Sequence, residues 1–260
     1  MIAALAKASL AFNEPVYLKI AQRSAFFIKY ALIKKGKLLH RFRDGESAIQ
    51  GFLDDYAFFF WGLIELCEAS FDAQFLKLAI ELNEVLLEHF WDEDDGGFYF
   101  SADDPESLSI RRKRVYDGAL PSGNSVAMFN LLQLAKLTGN VEHEEKAELM
   151  RNTFYENVFD MPIAHTQLMV ALDYGLGPSY EVVVIGDPKK EDTINMLDVL
   201  RKGFKPRIVL QLKSKMLEEV ADFTKSYTMI NNKVTAYVCK NYQCNLPPNN
   251  IEEVLIILDD

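Results

Sequence analysis

The chain has 260 residues, 49% of them hydrophobic, and a formal net charge of −10. This length allows one large domain or two modest ones with a substantial core. The acidic balance argues against a nucleic-acid partner, because binding phosphates requires a clustered basic surface. The dense basic run RRKR at residues 111–114 is flanked by acidic segments, so we expect a solvated or substrate-facing loop there. No apolar run approaches the roughly 20 residues of a membrane span, and no membrane partner is predicted.

Cysteine usage indicates the compartment. Cys67, Cys239 and Cys244 are too few for a disulfide scaffold, and their odd number is typical of a reducing environment. The N-terminus lacks the combined features of a secretion signal, so we predict a soluble, cytoplasmic protein. No metal is predicted, because Cys239 and Cys244 have no second cysteine pair to complete a zinc site and the histidines lack a metal-binding spacing. No cofactor is predicted, and VIGDP lacks the further glycines of a nucleotide loop.

A weak repeat organises the first two thirds of the chain. Its copies are LAKASLAFNEPVYLKIA, LIELCEASFDAQFLKLA and LLQLAKLTGNVEHEEKA, starting at residues 5, 63 and 131. Each copy predicts the end of a buried helix, a short turn and an amphipathic helix. The amphipathic partners are predicted at residues 16–34, 73–90 and 142–158. Repeated helix pairs form a solenoid or a closed toroid, since one pair cannot bury its own apolar face.

Long polar connections join successive pairs, at residues 35–51 and 91–116. They favour the toroid, whose loops at one rim carry the site. Within them, LLHRFR and GGFYFS are predicted to form hairpin strands from their alternation or aromatic content.

The most motif-like segment is DGALPSGNSVAMFNLLQLAKLTG at residues 117–139. Turn formers precede a predicted helix whose free amides Ser122 or Asn124 could cap. Apolar residues cover most of its circumference, and Thr138, Gly139 and Asn140 end it. Such a helix is exposed to solvent only at its polar N-terminal end, and we therefore expect a ligand-binding or catalytic site there.

From Ser179 onward the pattern changes. YEVVVIGDP, RIVLQLK, TAYVC and VLIIL are predicted strands, with helices at residues 190–202 and near 214–224. We predict two domains: a helical domain at residues 1–178 and a small α/β segment, with partly parallel strands, at residues 179–260.

The motifs LDDYA, FWDEDDGGFYF, DGALPSGNSVAMFNLL, LTGN and AYVCKNYQCNLP follow one another in this order. With them, the chain resembles the C-terminal part of the spermatogenesis-associated, thioredoxin-domain-containing proteins and their bacterial and archaeal relatives. The resemblance implies a six-hairpin (α/α) toroid, similar to N-acylglucosamine 2-epimerases and glycosidases, after an N-terminal thioredoxin-like domain. It also implies acidic residues where this chain has Arg114 and Leu120, so this copy would have lost activity if those carboxylates build the site.

The chain lacks a strand-CxxC-helix segment, and about seven helices are predicted before Gly175, whereas six hairpins need twelve. The expected fold is therefore mainly α: an incomplete toroid, as in a fragment, followed by the α/β segment. An open toroid edge would expose apolar helix faces, and we expect self-association through it.

Sugar chemistry in a toroid commonly uses paired carboxylates, one protonated and one ionised. The candidate catalytic residues are Asp54 and Asp55, at the start of a predicted helix, and Asp117. Helix capping and turn formation explain these residues equally well. Asp92 and the acidic residues after it are expected to form a solvated turn before two glycines.

Epimerases of the resembled fold use histidines as acid and base, so His40 and His165 are candidates, whereas His89 and His143 are expected to be structural, with His143 on an exposed turn. Side chains in rim loops or at a helix start that could contact a sugar by hydrogen bonds or charge are His40, Arg112, Lys113, Ser122 and Asn124. Tyr56 and Trp61, on the helix predicted at residues 53–69, could stack on a sugar from the toroid interior, although at helical spacing most aromatic residues of this helix are expected to belong to the core.

Two hypotheses remain open. One is a carbohydrate-active domain of epimerase, isomerase or glycosidase type, with a carbohydrate or sugar-derived ligand. The other is a non-catalytic module that binds a small ligand or a protein, with a fertility-related or redox-associated role implied by the family alone.

Overall fold

The computed structural model describes residues 1–103, 110–240, 242–244 and 251–259. It divides into two compact units. Unit 1 comprises residues 1–132 and 142–173, and unit 2 comprises residues 133–141 and 174–260. The domain boundary at 178/179 stays a prediction.

Helical hairpins dominate the first part of the chain. Their helices are α1 (Ile2–Ala11) with α2 (Pro15–Ala31), α3 (Leu53–Ser70) with α4 (Ala73–His89), and α5 (Gly123–Thr138) with α6 (Val141–Thr153). Two further helices, α7 (Tyr155–Asp160) and α8 (Thr166–Leu176), are separated by the 3-10 turn Pro162–Ala164. The repeat prediction is confirmed, because each copy covers the end of one helix and the start of its partner. The predicted helix at 142–158 is interrupted after Thr153.

In unit 1, α1, α3 and the part of α5 up to Leu132 pack side by side. A Cβ atom on Gly62 would lie 3.1 Å from Ile2, which places α1 against α3. Asn130 Nδ2 donates a hydrogen bond to the Ala57 carbonyl oxygen at 2.8 Å, which joins α5 to α3. Among the second helices, Phe26 of α2 and Phe75 of α4 have ring centroids 5.7 Å apart. The bulky residues Phe60 and Leu63 of α3 are buried, as its continuous apolar sequence predicts.

The first rim connection forms an antiparallel sheet with strand order β1 (Ile33–Lys34), β2 (Lys37–Arg43), β3 (Glu46–Gln50). The strand prediction for LLHRFR is thus confirmed. The one for GGFYFS is wrong, because residues 96–101, all of them described, form no strand and contribute one isolated bridge between Trp91 and Phe98. Gly96 and Gly97 have positive φ angles, and the backbone of Phe98 bonds to the side chain of Asn124 instead of a neighbouring strand.

Unit 2 holds a sheet of order β5 (Ile208–Leu212), β4 (Tyr180–Ile185), β6 (Thr235–Lys240), β7 (Gln243–Cys244). Strands β4 and β5 are parallel and the other pairs are antiparallel, as expected for partly parallel strands. The connecting helices are α9 (Glu191–Arg201), α10 (Lys215–Val220), a 3-10 turn (Asp222–Ser226) and the terminal α11 (Ile251–Asp259). The predicted fold class, mainly α followed by a small α/β segment, is confirmed.

The predicted strand VLIIL is wrong, because it lies in α11. A short apolar run fits a buried strand and a helix equally well by periodicity. Here Glu252 and Glu253 stand in the first turn, where negative charge stabilises the helix dipole, and Val254 provides the buried contact.

Cys239 and Cys244 are register partners on β6 and β7 and form a disulfide, while Cys67 is a buried free thiol. The described helices include none with both the length and the apolar character needed to cross a bilayer.

Candidate functional site

The N-terminus of α3 brings a carboxylate and an imidazole together. Asp55 Oδ2 accepts a hydrogen bond from the Phe52 backbone N–H at 2.9 Å, which satisfies one of the free amides that begin a helix. The same oxygen lies 2.8 Å from His40 Nδ1, on strand β2. The cap therefore fixes the carboxylate, and the carboxylate orients the half-exposed imidazole so that Nε2 is left for another partner.

Asp54, the neighbouring carboxylate, has a different environment. Burial raises its pKa above the ordinary value, and the negative charge of Asp55 acts in the same direction. A hydrogen bond from the Gly123 backbone N–H and the positive charge of Arg114 partly oppose this shift. The net pKa is raised, so Asp54 holds a proton more readily than a solvent-exposed aspartate does.

A layer of rings and one guanidinium borders these groups. The ring centroids of Phe52 and Phe100 lie 4.9 Å apart in a stacked arrangement, and the Arg114 guanidinium lies 4.0 Å from the Phe100 centroid. The His40 imidazole meets the Phe52 ring edge-on at 5.3 Å. Four segments of unit 1 thus converge on one place. We call this set the rim cluster: His40, Phe52, Asp54, Asp55, Phe100 and Arg114.

The sequence predicted three members of the rim cluster and missed the others. His40, Asp54 and Asp55 were candidates, whereas Phe52 and Phe100 were not, and Arg114 was named only as standing where the resembled family carries an acidic residue. Arg114 comes into place because Phe100 N–H donates to the Arg112 carbonyl at 2.8 Å, which pairs the two segments. No local sequence signal reveals that pairing. The predicted contact Arg112 itself is exposed.

The side chains of Ser122 and Asn124 form hydrogen bonds with backbone groups of the chain. Ser122 Oγ accepts a hydrogen bond from Ser125 N–H at 3.1 Å, which confirms the prediction that it caps α5. Asn124 is fully buried; its Oδ1 accepts from Phe98 N–H at 2.8 Å, and its Nδ2 donates to the carbonyls of Phe98 and Arg114, both at 2.9 Å. Asn124 therefore joins two rim segments to the start of α5, and its predicted contact with a ligand stays a prediction.

Asp117 has the geometry of a cap. Its Oδ1 accepts a hydrogen bond from Ser122 N–H at 2.8 Å. Its Oδ2 accepts from Gln167 and Leu168 N–H, at 2.8 and 3.2 Å, in the first turn of α8. Both oxygens of this buried carboxylate are occupied by backbone amides. Its predicted catalytic role stays a prediction, while the alternative cap role matches the contacts observed.

The two aromatic candidates on α3 are tied to protein partners. Tyr56 is buried, and its hydroxyl accepts a hydrogen bond from Leu38 N–H at 2.7 Å. Trp61 donates from Nε1 to Glu65 at 2.9 Å, a turn further along the helix. Neither side chain is a member of the rim cluster, so their predicted stacking on a sugar stays a prediction.

Lys113 pairs with Asp92, its Nζ lying 2.7 Å from Asp92 Oδ2. The Tyr99 hydroxyl donates to the same oxygen, and Asp94 N–H donates to the other one. These contacts, with Lys113 foremost, lower the pKa of Asp92 to about 2. The prediction of a solvated turn is wrong for Asp92, which is buried because Lys113 and Tyr99 cover it; the three residues after it are exposed as expected.

The remaining histidines stand apart from the rim cluster. Buried His165 donates from Nδ1 to the Val115 carbonyl at 2.9 Å, and His89 Nδ1 bonds to Asp103 at 2.8 Å. The exposed turn predicted for His143 is wrong, because it lies half-buried on α6, where burial lowers its pKa. In the parts of the chain that the structure describes, no three His, Cys, Asp or Glu side chains gather as metal ligands.

Sequence comparisons find relatives in animals. The chain is 33% identical over 202 residues to spermatogenesis-associated protein 20 of Rattus norvegicus and of Homo sapiens, which covers 76% of this chain and 26% of each relative. It is 30% identical over 266 residues to an uncharacterized protein of Caenorhabditis elegans, covering 97% of this chain and 36% of that protein. No family model matches.

Among solved structures, the chain is similar to a GH76 alpha-mannanase of Bacteroides thetaiotaomicron, with a TM-score of 0.46 and 17% identity over 58% of this chain and 41% of that one. The sequence matches are the more specific finding. This chain belongs to the family of spermatogenesis-associated protein 20, and it spans about a quarter of the length of the mammalian relatives it matches.

Proposed function

We propose that unit 1 is a carbohydrate-active-enzyme-like domain and that the rim cluster binds a sugar or sugar-derived ligand. The observation that carries this proposal is the pairing of Asp55 with His40 at 2.8 Å, beside a second carboxylate, Asp54, whose pKa is raised. A carboxyl group with a raised pKa beside an imidazole that a carboxylate orients can serve as an acid and base set.

The roles follow from these environments. Asp55 holds the His40 imidazole in one orientation, so His40 serves as the general base through Nε2. Asp54, whose pKa is raised, serves as the general acid that donates a proton to a sugar oxygen. Epimerisation, isomerisation and glycoside cleavage all use a pair of this kind, so the cluster supports the reaction class without choosing among its members.

Arg114 favours anionic ligands at the site. Its guanidinium lies on Phe100 and its charge acts on Asp54, so a cation stands at the edge of the acid and base pair. A guanidinium binds carboxylate or phosphate through two parallel hydrogen bonds. We therefore include uronic acids and sugar phosphates among the proposed ligands.

A non-catalytic binding module is the second candidate. It is favoured by the contacts of Asp117, whose two oxygens are both held by backbone amides, and by Arg114, which stands where the resembled family carries an acidic residue. Such a module would bind a small ligand or a protein at the same rim cluster without turnover. A fertility-related or redox-associated role is proposed from the family alone.

A binding screen tests the proposal. We would measure thermal shifts of the full chain with monosaccharides, amino sugars, uronic acids and sugar phosphates, and then assay the stabilising compound for turnover. The variants Asp55→Asn and His40→Gln should lose the shift, whereas Asp198→Asn, an exposed aspartate on α9, should keep it. A shift with turnover supports the enzyme, and a shift without turnover supports the module. If no compound shifts the folded chain, or if Asp55→Asn keeps the shift, the proposed site is wrong.

A further inference from the structure

The segment of residues 15–43 differs in charge from the rest of the chain. It contains eight of the 28 Lys and Arg residues and none of the 38 Asp and Glu residues, although the whole chain is strongly acidic. The segment forms α2, β1 and β2. A strongly basic surface on an acidic protein is suited to a partner of opposite charge.

Helix α2 exposes apolar and basic side chains along one stripe. The exposed positions of this stripe recur at intervals of three and four residues, which places them on one helix face because 3.6 residues complete a turn. Phe27 is 50% exposed and Tyr30 is 70% exposed, which is high for large aromatic residues. Phe42 of β2 extends the stripe, since its ring meets that of Phe27 edge-on at 5.2 Å. We call this stripe the basic face: Val16, Lys19, Ile20, Arg23, Phe27 and Tyr30.

Helices α6 and α7 expose acidic and apolar side chains, and so carry the opposite charge. Residues 142–163 contain six acidic and two basic residues. Their exposed apolar side chains include Leu149 and Phe159, which is 71% exposed. The acidic side chains Glu145, Glu156 and Asp160 are exposed among them. We call this surface the acidic face: Glu145, Glu148, Leu149, Tyr155, Glu156, Phe159 and Asp160.

The basic face lies on α2, the second helix of the first hairpin, and the acidic face lies on α6, the second helix of the third hairpin, and on α7 after it. Within unit 1, α2 packs on α4 through Phe26 and Phe75, and α6 packs on the segment after α4, where Lys146 lies 4.5 Å from the Trp91 ring centroid. Helical repeats bury the faces of inner hairpins against neighbours, and terminal hairpins usually present polar faces. Here both terminal faces keep exposed aromatic residues.

We infer that the basic face of one chain docks on the acidic face of a second copy, in a head-to-tail arrangement. The two faces are complementary, because both expose apolar side chains that can pack together and their charges are opposite. Within the described residues no ion pair occupies Arg23 or Lys19, so both charges are available to a partner. A heterologous contact of this kind closes into a ring or continues as an array.

Sedimentation velocity of the full chain over rising concentrations is the first test. Association should appear as concentration rises and should weaken at least tenfold in Kd when salt goes from about 0.05 M to about 0.5 M, because the Debye length falls several-fold over that range. A chain that stays monomeric throughout would overturn the inference. A chain that stays monomeric and sediments with phosphatidylserine vesicles would also overturn the inference, because the partner of the basic face would then be an anionic membrane.

Charge reversal identifies the two faces. Lys19→Glu with Arg23→Glu makes both faces acidic, and Glu145→Lys with Glu156→Lys reduces the net charge of the acidic face from four negative charges to zero. Each double variant alone should be monomeric, and an equimolar mixture should associate with a Kd within about tenfold of the wild type, since unlike charges meet again. Lys189→Glu with Lys190→Glu, an equal change of charge at exposed residues outside both faces, should associate as the wild type does.

Circular dichroism establishes that each variant is folded. Association that persists in both double variants, or a mixture of folded variants that stays monomeric, would contradict docking between these faces. If a double variant does not fold, Phe27→Ser replaces it on the basic face, and association should fall at least tenfold because the exposed ring is lost.

Discussion

Gly123, at the start of α5, lies so close to the Asp54 carboxylate that a Cβ atom there would come within 2.4 Å of Asp54 Oδ1. Leu53 Cγ would be 2.7 Å away. The Gly123 N–H also donates a hydrogen bond to this carboxylate. The absence of a side chain at Gly123 therefore lets the N-termini of α3 and α5 meet beside Asp54. Burial raises the pKa of Asp54, and the Gly123 hydrogen bond partly opposes that shift.

Replacing Gly123 with Ala should lower the free energy of unfolding by about 1–3 kcal/mol, because the methyl group must displace Asp54 or Leu53. Urea denaturation measures this loss. Gly118→Ala is the control, since its Cβ would meet the exposed Tyr116 ring, which is free to move aside. Equal stability of Gly123→Ala and the wild type would show that the close contact is absent in solution.

Asp92 should contribute stability that depends on pH. Its pKa lies at about 2, below the ordinary 3.8, so its contribution is present above the ordinary value and is lost as pH falls towards about 2. Asp92→Asn should therefore lower the free energy of unfolding by about 1–2 kcal/mol at pH 7, with a smaller difference near pH 3. Chemical denaturation at both pH values measures this. The control Asp95→Asn, at an exposed carboxylate 4.0 Å from Lys113, should change the free energy of unfolding little. If Asp92→Asn lowers the free energy of unfolding equally at both pH values, the ion pair with Lys113 is contradicted.

Asn124→Ala should be among the most destabilising single changes, because a fully buried amide loses its three hydrogen bonds to Phe98 and Arg114. The backbone groups of Phe98 and Arg114 would then lack their partner, at a cost of about 1–3 kcal/mol for each buried group. Thermal and urea unfolding give the magnitude. Asn152→Ala, at an exposed position on α6, should be neutral. A loss below about 1 kcal/mol for Asn124→Ala would show that water replaces the amide.

Helix periodicity predicted the hairpins, and turn chemistry predicted the cap at Ser122, because both depend on neighbouring residues. The carboxylate at Asp55 was also predicted, since it begins a helix. The pairing of Asp55 with His40 depends on a contact between residues 15 positions apart, and that of Lys113 with Asp92 on residues 21 apart. No local pattern contains such contacts. The strand predicted at VLIIL failed for a different reason, because a short apolar run leaves the type of element undecided.

The cysteines should differ in reactivity. Burial raises the pKa of the Cys67 thiol to about 12, so its thiolate, the reactive form, is scarce in the folded protein. Iodoacetamide should leave Cys67 unmodified in the native chain, and label Cys239 and Cys244 after treatment with a reductant. Mass spectrometry of the peptides reads this out, and urea-unfolded protein is the positive control for Cys67. Native labelling of Cys67 at the rate of a free thiol would contradict its burial.

Imidazole nitrogen NMR tests the rim cluster most directly, because the chain has four histidines and their signals can be assigned by single substitutions. We would titrate the chain with the sugar that gives the largest thermal shift. We expect the His40 resonances to shift when the ligand binds, those of His143 and His165 to stay unchanged, and Asp55→Asn to abolish the shift. A sugar that binds while His40 stays unchanged would contradict the proposed site.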